Sequence, residues 1–166
     1  MATGENLKEA FAGESQANRR YLAFAEQAQR EGFSQVAKLF RAAAQAEAVH
    51  ARAFLQVMGT IQSTAENLQE AVIGESFEFK DLYPRYEATA MEEDERAAVM
   101  SFQNALAVEQ VHHSLFIEAM NKVKVGEDLP PRSVFVCRVC GNTVVDEPPE
   151  TCPVCSSPRD KYEEVE

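Results

Sequence analysis

The sequence predicts a mainly α chain, a four-helix bundle followed by a small β-rich knuckle domain. Three observations carry this. Residues 1–125 are rich in Ala, Glu and Gln and poor in Gly and Pro, a composition that favours helix. Apolar residues recur there with helical period in four segments. All four cysteines lie beyond residue 136, in two C-x-x-C units set among Pro and β-branched residues.

The first helix is expected from about Asn6 to Arg30, ending near Gly32. The second runs from about Ser34 to Met58, with Gly59 as its stop signal. Ser63 or Thr64 caps the third at Thr64-Ala65-Glu66, and this helix continues to about Met91. Pro84 interrupts it, removing one helical hydrogen bond and bending it near a group of acids. The fourth runs from about Asp94 to Val123. The expected organisation is a helical domain over 1–125, a polar linker over 126–133 and a knuckle domain over 134–166.

The helical part reads as a duplicated hairpin. Glu47-Ala48-Val49-His50 returns as Glu109-Gln110-Val111-His112, and Tyr21, Phe40, Phe54 and Met58 match Tyr83, Phe102, Phe116 and Met120 at the same offset of 62. Gly13-Glu14 matches Gly74-Glu75 at 61. Such a repeat implies pseudo-two-fold symmetry and two equivalent ligand sets.

Residues at i and i+3 on a helix project to the same side. Each Glu-x-x-His unit therefore offers a carboxylate and an imidazole to one point. Two such helices, plus one Glu from each of two others, make the ligand set of a dinuclear metal site in a four-helix bundle. The apolar stripes supply the other acids. Glu14 interrupts the stripe Leu7, Phe11, Ala17, Tyr21, Phe24, Ala28. Glu47 and His50 interrupt Val36, Phe40, Ala43, Phe54, Val57. Glu75 and Glu78 interrupt Leu68, Ala71, Leu82, Tyr86, and Glu109 and His112 interrupt Ala98, Phe102, Ala105, Phe116, Ala119. A buried ionised carboxylate costs several kcal/mol, roughly, unless paired or metal-bound. Arg19, Arg20, Arg41 and Arg52 lie off these stripes, so metal is a more economical partner than hydrogen bonding among the acids. Carboxylate with imidazole suits iron or manganese.

Cys137-x-x-Cys140 and Cys152-x-x-Cys155 form two knuckles that complete one tetrahedral four-sulfur site, for iron or for zinc. The net charge of −11 argues against nucleic acid and anionic membrane surfaces as partners. No apolar run is long enough to span a bilayer. The N-terminus lacks the basic and apolar regions of a signal peptide, so a cytoplasmic location is expected.

These residues resemble the rubrerythrins over nearly the whole chain. The stretches Glu14-Ser15-Gln16-Ala17-Asn18-Arg19-Arg20-Tyr21, Glu47-x-x-His50, Glu75-x-x-Glu78 with Tyr83-Pro84, and Glu109-x-x-His112 match the family's di-iron pattern. The tail is similar to its rubredoxin-like domain, although the eleven-residue loop between knuckles is slightly shorter than usual. The resemblance implies a ferritin-like bundle in which Glu47 and Glu109 bridge two non-haem irons. Glu14 and Glu75 would be terminal ligands and His112 would bind one iron. Glu78 and His50 would exchange on one iron with redox state, and Tyr21 and Tyr83 would lie beside the site, as core aromatics or in proton supply. His113 has no motif position and is expected at the surface or behind the ligands. Attachment to a di-iron bundle favours iron over zinc at the cysteines.

Ferritin-like bundles join helix two to helix three by a long crossover. Here the link must cover about 28 Å, because helix two runs about 12 Å past His50 and helix three begins about 16 Å before Glu75. Its six or so peptide steps reach about 20 Å. Either helix three starts later or helical hairpins are exchanged in a homodimer, and the second is expected.

The implied activity is reduction of hydrogen peroxide to water, with electrons relayed through the four-cysteine iron from an external donor. An NAD(P)H-dependent reductase or a rubredoxin would fill that role. The rival readings are a ferritin-like ferroxidase that uses O₂, and a non-enzymatic metal protein with zinc in the tail. Glu78 and the fused cysteine domain argue against the ferroxidase.

Overall fold

The computed structural model describes residues 2–166 and divides the chain into two compact units, with the boundary between Gln62 and Ser63. Among the described residues no helix is long and apolar enough to cross a membrane.

The first unit is a hairpin of α1 (Ala2–Arg30) and α2 (Ser34–Met58). Its turn closes with the Phe33 N–H on the Ala28 carbonyl at 2.8 Å, with Gly32 left-handed at φ 87°. The sealed interface is a line of alanines: Ala17, Ala25 and Ala28 on α1, and Ala37, Ala44 and Ala51 on α2. Small side chains let two helices approach closely, and Asn18 Nδ2 crosses to donate to the Ala44 carbonyl at 2.7 Å. The bulky residues of the predicted stripes flank this line and stay partly open, with Phe24 at 47% and Val57 at 71% exposure. Two helices cover only one face of each other, so alanine takes the contact and phenylalanine is left beside it.

The second unit begins with a capping box, in which the Ser63 hydroxyl accepts from the Glu66 N–H and Glu66 accepts from the Ser63 N–H. It contains α3 (Thr64–Phe77), a five-residue π-helical turn (Glu78–Leu82), α4 (Tyr83–Glu92) and α5 (Arg96–Lys124). The interruption predicted at Pro84 is this π turn, just upstream of it. Tyr83 N–H bonds to the Glu78 carbonyl, five residues back. Pro84 falls in the first turn of α4, where a missing N–H costs little.

The π turn accounts for the change in repeat offset from 61 to 62. One more residue separates Glu75 from Tyr83 than separates Glu14 from Tyr21, and a widened turn absorbs it without rotating α4 out of phase. Tyr83 therefore regains the ring neighbours of Tyr21. Tyr21, Phe24 and Phe40 have centroids 6.3, 6.1 and 5.6 Å apart. Tyr83, Tyr86 and Phe102 repeat the cluster at 6.5, 6.3 and 5.6 Å. The hairpin turns correspond as well. Glu95 N–H bonds to the Ala90 carbonyl at 2.9 Å, and Asp94 takes the left-handed place of Gly32 at φ 55°. That conformation, which Asp tolerates, is why α5 starts at Arg96 and not at the expected Asp94.

The tail is a three-stranded antiparallel sheet ordered β2-β1-β3, from β1 (Val134–Cys137), β2 (Thr143–Val145) and β3 (Tyr162–Glu164). It rests on α5, with Gly141 close to Val108 and Thr143 against His112.

Candidate metal centres

Each unit assembles its own acidic triad. In the first, Glu14 comes from α1 and Glu47 and His50 from α2; one ligand atom from each lies within 4.8 Å of the others. His50 Nδ1 is 2.8 Å from Glu47 and 3.9 Å from Glu14. In the second, Glu75 comes from α3 and Glu109 and His112 from α5, again within 4.8 Å. His112 Nδ1 is 2.8 Å from Glu109 and 3.8 Å from Glu75. The i, i+3 spacing does what helix geometry requires, and the duplicated hairpin makes the two triads match within 0.1 Å.

The second triad is the more enclosed, and its electrostatics call for a cation. Glu75 Oε2 is buried and has no hydrogen-bond partner. Burial, and then the neighbouring Glu109 and Glu78 carboxylates, push Glu75 from the ordinary carboxylate range up to about 7. Glu78, at the head of the π turn, lies outside the three-ligand cluster. Burial and the Glu109 charge raise it, partly opposed by His112. Tyr83 is raised by burial and then by the charges of Glu78, Glu109 and Glu75. The mixed oxygen and nitrogen donors, with one orphaned buried oxygen, fit a borderline-to-hard cation such as iron. Tyr21 sits in its aromatic cluster. His113 is in neither triad and packs edge-on against Phe79 at 5.2 Å.

Protein whose carboxylate sites are stripped of metal should show a pH dependence. The folded state holds the Glu75 proton more tightly than the unfolded state does. Stability from this group is therefore present at acid pH and lost as pH rises towards about 7, on the order of 2–3 kcal/mol. Urea melts between about pH 5 and pH 8 should show this loss, and Glu75→Gln should flatten it. An equal slope in the variant would assign the effect elsewhere. Metal displaces the proton, so loaded protein should lack the loss.

The cysteines form a separate cluster. Cys137 and Cys155 sulfurs are 3.8 Å apart, and those of Cys140 and Cys152 are 3.6 Å apart. Four sulfurs at about 2.3 Å from one metal have tetrahedral edges of about 3.8 Å, whereas a disulfide needs about 2.05 Å. The geometry is that of one four-sulfur metal site. The two knuckles are alike: Gly141 N–H bonds to the Cys137 carbonyl at 2.8 Å and Ser156 N–H to the Cys152 carbonyl at 2.9 Å. Both Gly141 and Ser156 are left-handed, at φ 87° and 60°. Burial pushes the Cys140 thiol up. Burial also acts upward on Cys152, but hydrogen bonds from the Cys155 backbone, the Tyr162 side chain and the Val154 backbone outweigh it and leave Cys152 at about 6.

One residue at the bundle site had no motif to reveal it. Thr143, on β2, places its hydroxyl oxygen 3.0 Å from His112 Nε2. Nothing in the primary structure couples positions 112 and 143; only the packing of the tail on α5 brings them together.

Known proteins resemble this chain in sequence and fold. A family model described as rubrerythrin matches residues 5–120, and one for the rubrerythrin rubredoxin-like domain matches residues 135–163. Rubrerythrin-2 of Clostridium acetobutylicum is 34% identical, aligning 97% of this chain with 95% of its own. Rubrerythrin of Porphyromonas gingivalis is 34% identical over 97% of this chain and 88% of its own, and nigerythrin of Nitratidesulfovibrio vulgaris 33% over 97% and 85%. Solved structures of nigerythrin in its mixed-valence and its fully reduced, all-ferrous states superpose with TM-scores of 0.58 and 0.59. Both are 32% identical and cover 98% of this chain and 86% of theirs. A chain aligned with such relatives along nearly its whole length, and carrying the Glu and His donors of a di-iron, ferritin-like centre together with a four-cysteine rubredoxin-like site, belongs to the rubrerythrin family.

Proposed function

We propose that this protein is a non-haem di-iron peroxidase that reduces hydrogen peroxide to water. The observation that carries the reading is the contact between the cysteine domain and a ligand-bearing helix: Thr143 lies 3.0 Å from the ligand candidate His112. Iron storage alone needs no electron-delivery module against its metal ligands. When bound, two ferrous ions supply the two electrons that split the O–O bond, and a four-sulfur iron returns electrons singly.

The chain's residues take distinct parts in this reading. Glu14, Glu47, Glu75, Glu109 and His112 would hold the two irons, with Glu47 and Glu109 as the acids shared between them and Glu14 and Glu75 each serving one. Glu78 and His50 would be the alternative donors to one iron as its charge changes. Burial and then the Glu109 charge raise Glu78, partly opposed by His112, and His50 keeps 55% of its side chain exposed against 28% for His112. Tyr83 holds its hydroxyl proton among three carboxylates, and Tyr21 is its counterpart. Cys137, Cys140, Cys152 and Cys155 hold the relay iron, fed by an NAD(P)H-dependent reductase or a rubredoxin. The four free thiols suit the reducing cytoplasm.

The reading includes a homodimer with exchanged hairpins. Because α3 begins at Thr64 and α2 ends at Met58, the later start that would relieve the crossover is gone, and six peptide steps still fall short of about 28 Å. Glu14, Glu47 and His50 of one protomer would complete the site of its partner, covering the half-open phenylalanines of α1 and α2. A monomer in sedimentation at working concentration would reject the exchange.

Stopped-flow mixing of the anaerobically reduced, iron-loaded protein with hydrogen peroxide and, separately, with O₂ tests the activity. Peroxide should reoxidise both iron centres much the faster. Faster reaction with O₂ would point to the ferroxidase, and a redox-silent tail to zinc.

A further inference from the structure

The contact between Thr143 and His112 bears on the imidazole's tautomer as well as its position. Thr143 Oγ1 is 3.0 Å from His112 Nε2 and 3.2 Å from the Gly141 carbonyl oxygen. A carbonyl only accepts, and a hydroxyl has one proton. With that proton given to Gly141, the hydroxyl presents a lone pair to the imidazole, and Nε2 is then the nitrogen that carries hydrogen. Nδ1 is then bare, and it faces Glu109 at 2.8 Å and Glu75 at 3.8 Å. A nitrogen lone pair among carboxylate oxygens is repulsive unless a cation lies between them.

We infer that Thr143 is a positioning residue for the bundle metal. By accepting from His112 Nε2 it reserves Nδ1 as a ligand and fixes the ring, so that a folded cysteine domain prepares the carboxylate site for metal. The inference rests on reading the second triad as a metal site, but it does not depend on the oxidant. His50 has the same Nδ1 contacts and is twice as exposed. An outer partner of a ligating histidine sets its tautomer and raises its basicity, and losing one typically costs 10–100-fold in metal affinity.

The test uses the full chain with the cysteine site filled and the carboxylate site stripped by a mild chelator. Histidine ¹⁵N spectra, at a pH where imidazole is neutral, should show His112 as the Nε2–H tautomer. Thr143→Val, which keeps the β-branched shape, should move the proton towards Nδ1, where Glu109 accepts it. Thr143→Ser should restore the wild-type pattern. Iron(II) titration should then show about 10–100-fold weaker binding in Thr143→Val and near-normal binding in Thr143→Ser. Unchanged absorbance of the cysteine site would show that the tail remains folded. An Nδ1–H tautomer in the wild type would overturn the inference, as would a Thr143→Val protein with unaltered tautomer and affinity. Failure to reduce peroxide with the tautomer as described would instead sink the proposed activity and leave this role standing.

Discussion

Glu109→Ala should abolish peroxide reduction by more than about a hundredfold, since losing even an outer-shell partner costs up to that much. Glu109 is the acid on which the second triad converges. It lies 2.8 Å from His112 and its charge raises Glu75, Glu78 and Tyr83. Without it the second triad keeps Glu75 and His112 and loses the acid that would be shared between the two irons. The same substitution should have the opposite sign for the stability of metal-free protein. Removing Glu109 takes away two of the causes that hold Glu75 near 7, so less is lost as pH rises to neutrality. Iron content, peroxide-driven reoxidation and urea melts of the stripped protein are the three readouts. Retained iron and rate would mean that Glu109 is not a ligand. An activity loss without the stability gain would mean that the mutation acts by distorting α5.

Cys152→Ser should unfold the tail and leave the helices standing. Strands of three and four residues cannot support themselves, and a segment below about 40 residues usually needs a metal or disulfides. The buried residues of the tail are Cys137, Asn142, Pro148 and Cys152, so two of the four are metal donors and there is little apolar core to fall back on. For structural zinc the apparent binding energy is about 10–16 kcal/mol, and it is also folding energy. The variant should lose the visible signal of the four-sulfur site and the amide dispersion of residues 134–164, with helical circular dichroism nearly unchanged. Functionally, one round of peroxide reduction should survive at the bundle and turnover should cease. A dispersed tail spectrum in Cys152→Ser would show that the sheet holds itself, and sustained turnover would remove the cysteine site from the electron path.

The two triads are legible in the primary structure because helix geometry is local. Glu47 and His50, or Glu109 and His112, meet whatever the rest of the chain does, and the duplication names Glu14 and Glu75 as their partners. The cysteine knuckles are legible for the same reason. Helix ends marked by Gly59 and Ser63 are also readable, since a left-handed stop and a capping box are built from adjacent residues. Asp94 resembles a helix start in the sequence, but its left-handed φ of 55° is dictated by the turn that Glu95 closes on Ala90.

Other features depend on contacts between distant segments. The stripes of large residues point to the bundle interior, but the face that seals within the first hairpin is alanine, a choice made by how closely two helix backbones can approach. The shift in repeat offset shows that a residue has been added between Glu75 and Tyr83; only the folded chain shows it as a π turn that carries Glu78 to Glu109 while Tyr83 keeps its aromatic neighbours. By itself, then, the sequence determined the helices, the paired Glu-x-x-His and C-x-x-C units and the family, all properties of local spacing. Tertiary structure alone decided that Thr143 meets His112 and that Glu75 Oε2 is buried. Those depend on which surfaces are pressed together, and burial and hydrogen bonding between distant residues have no period to read.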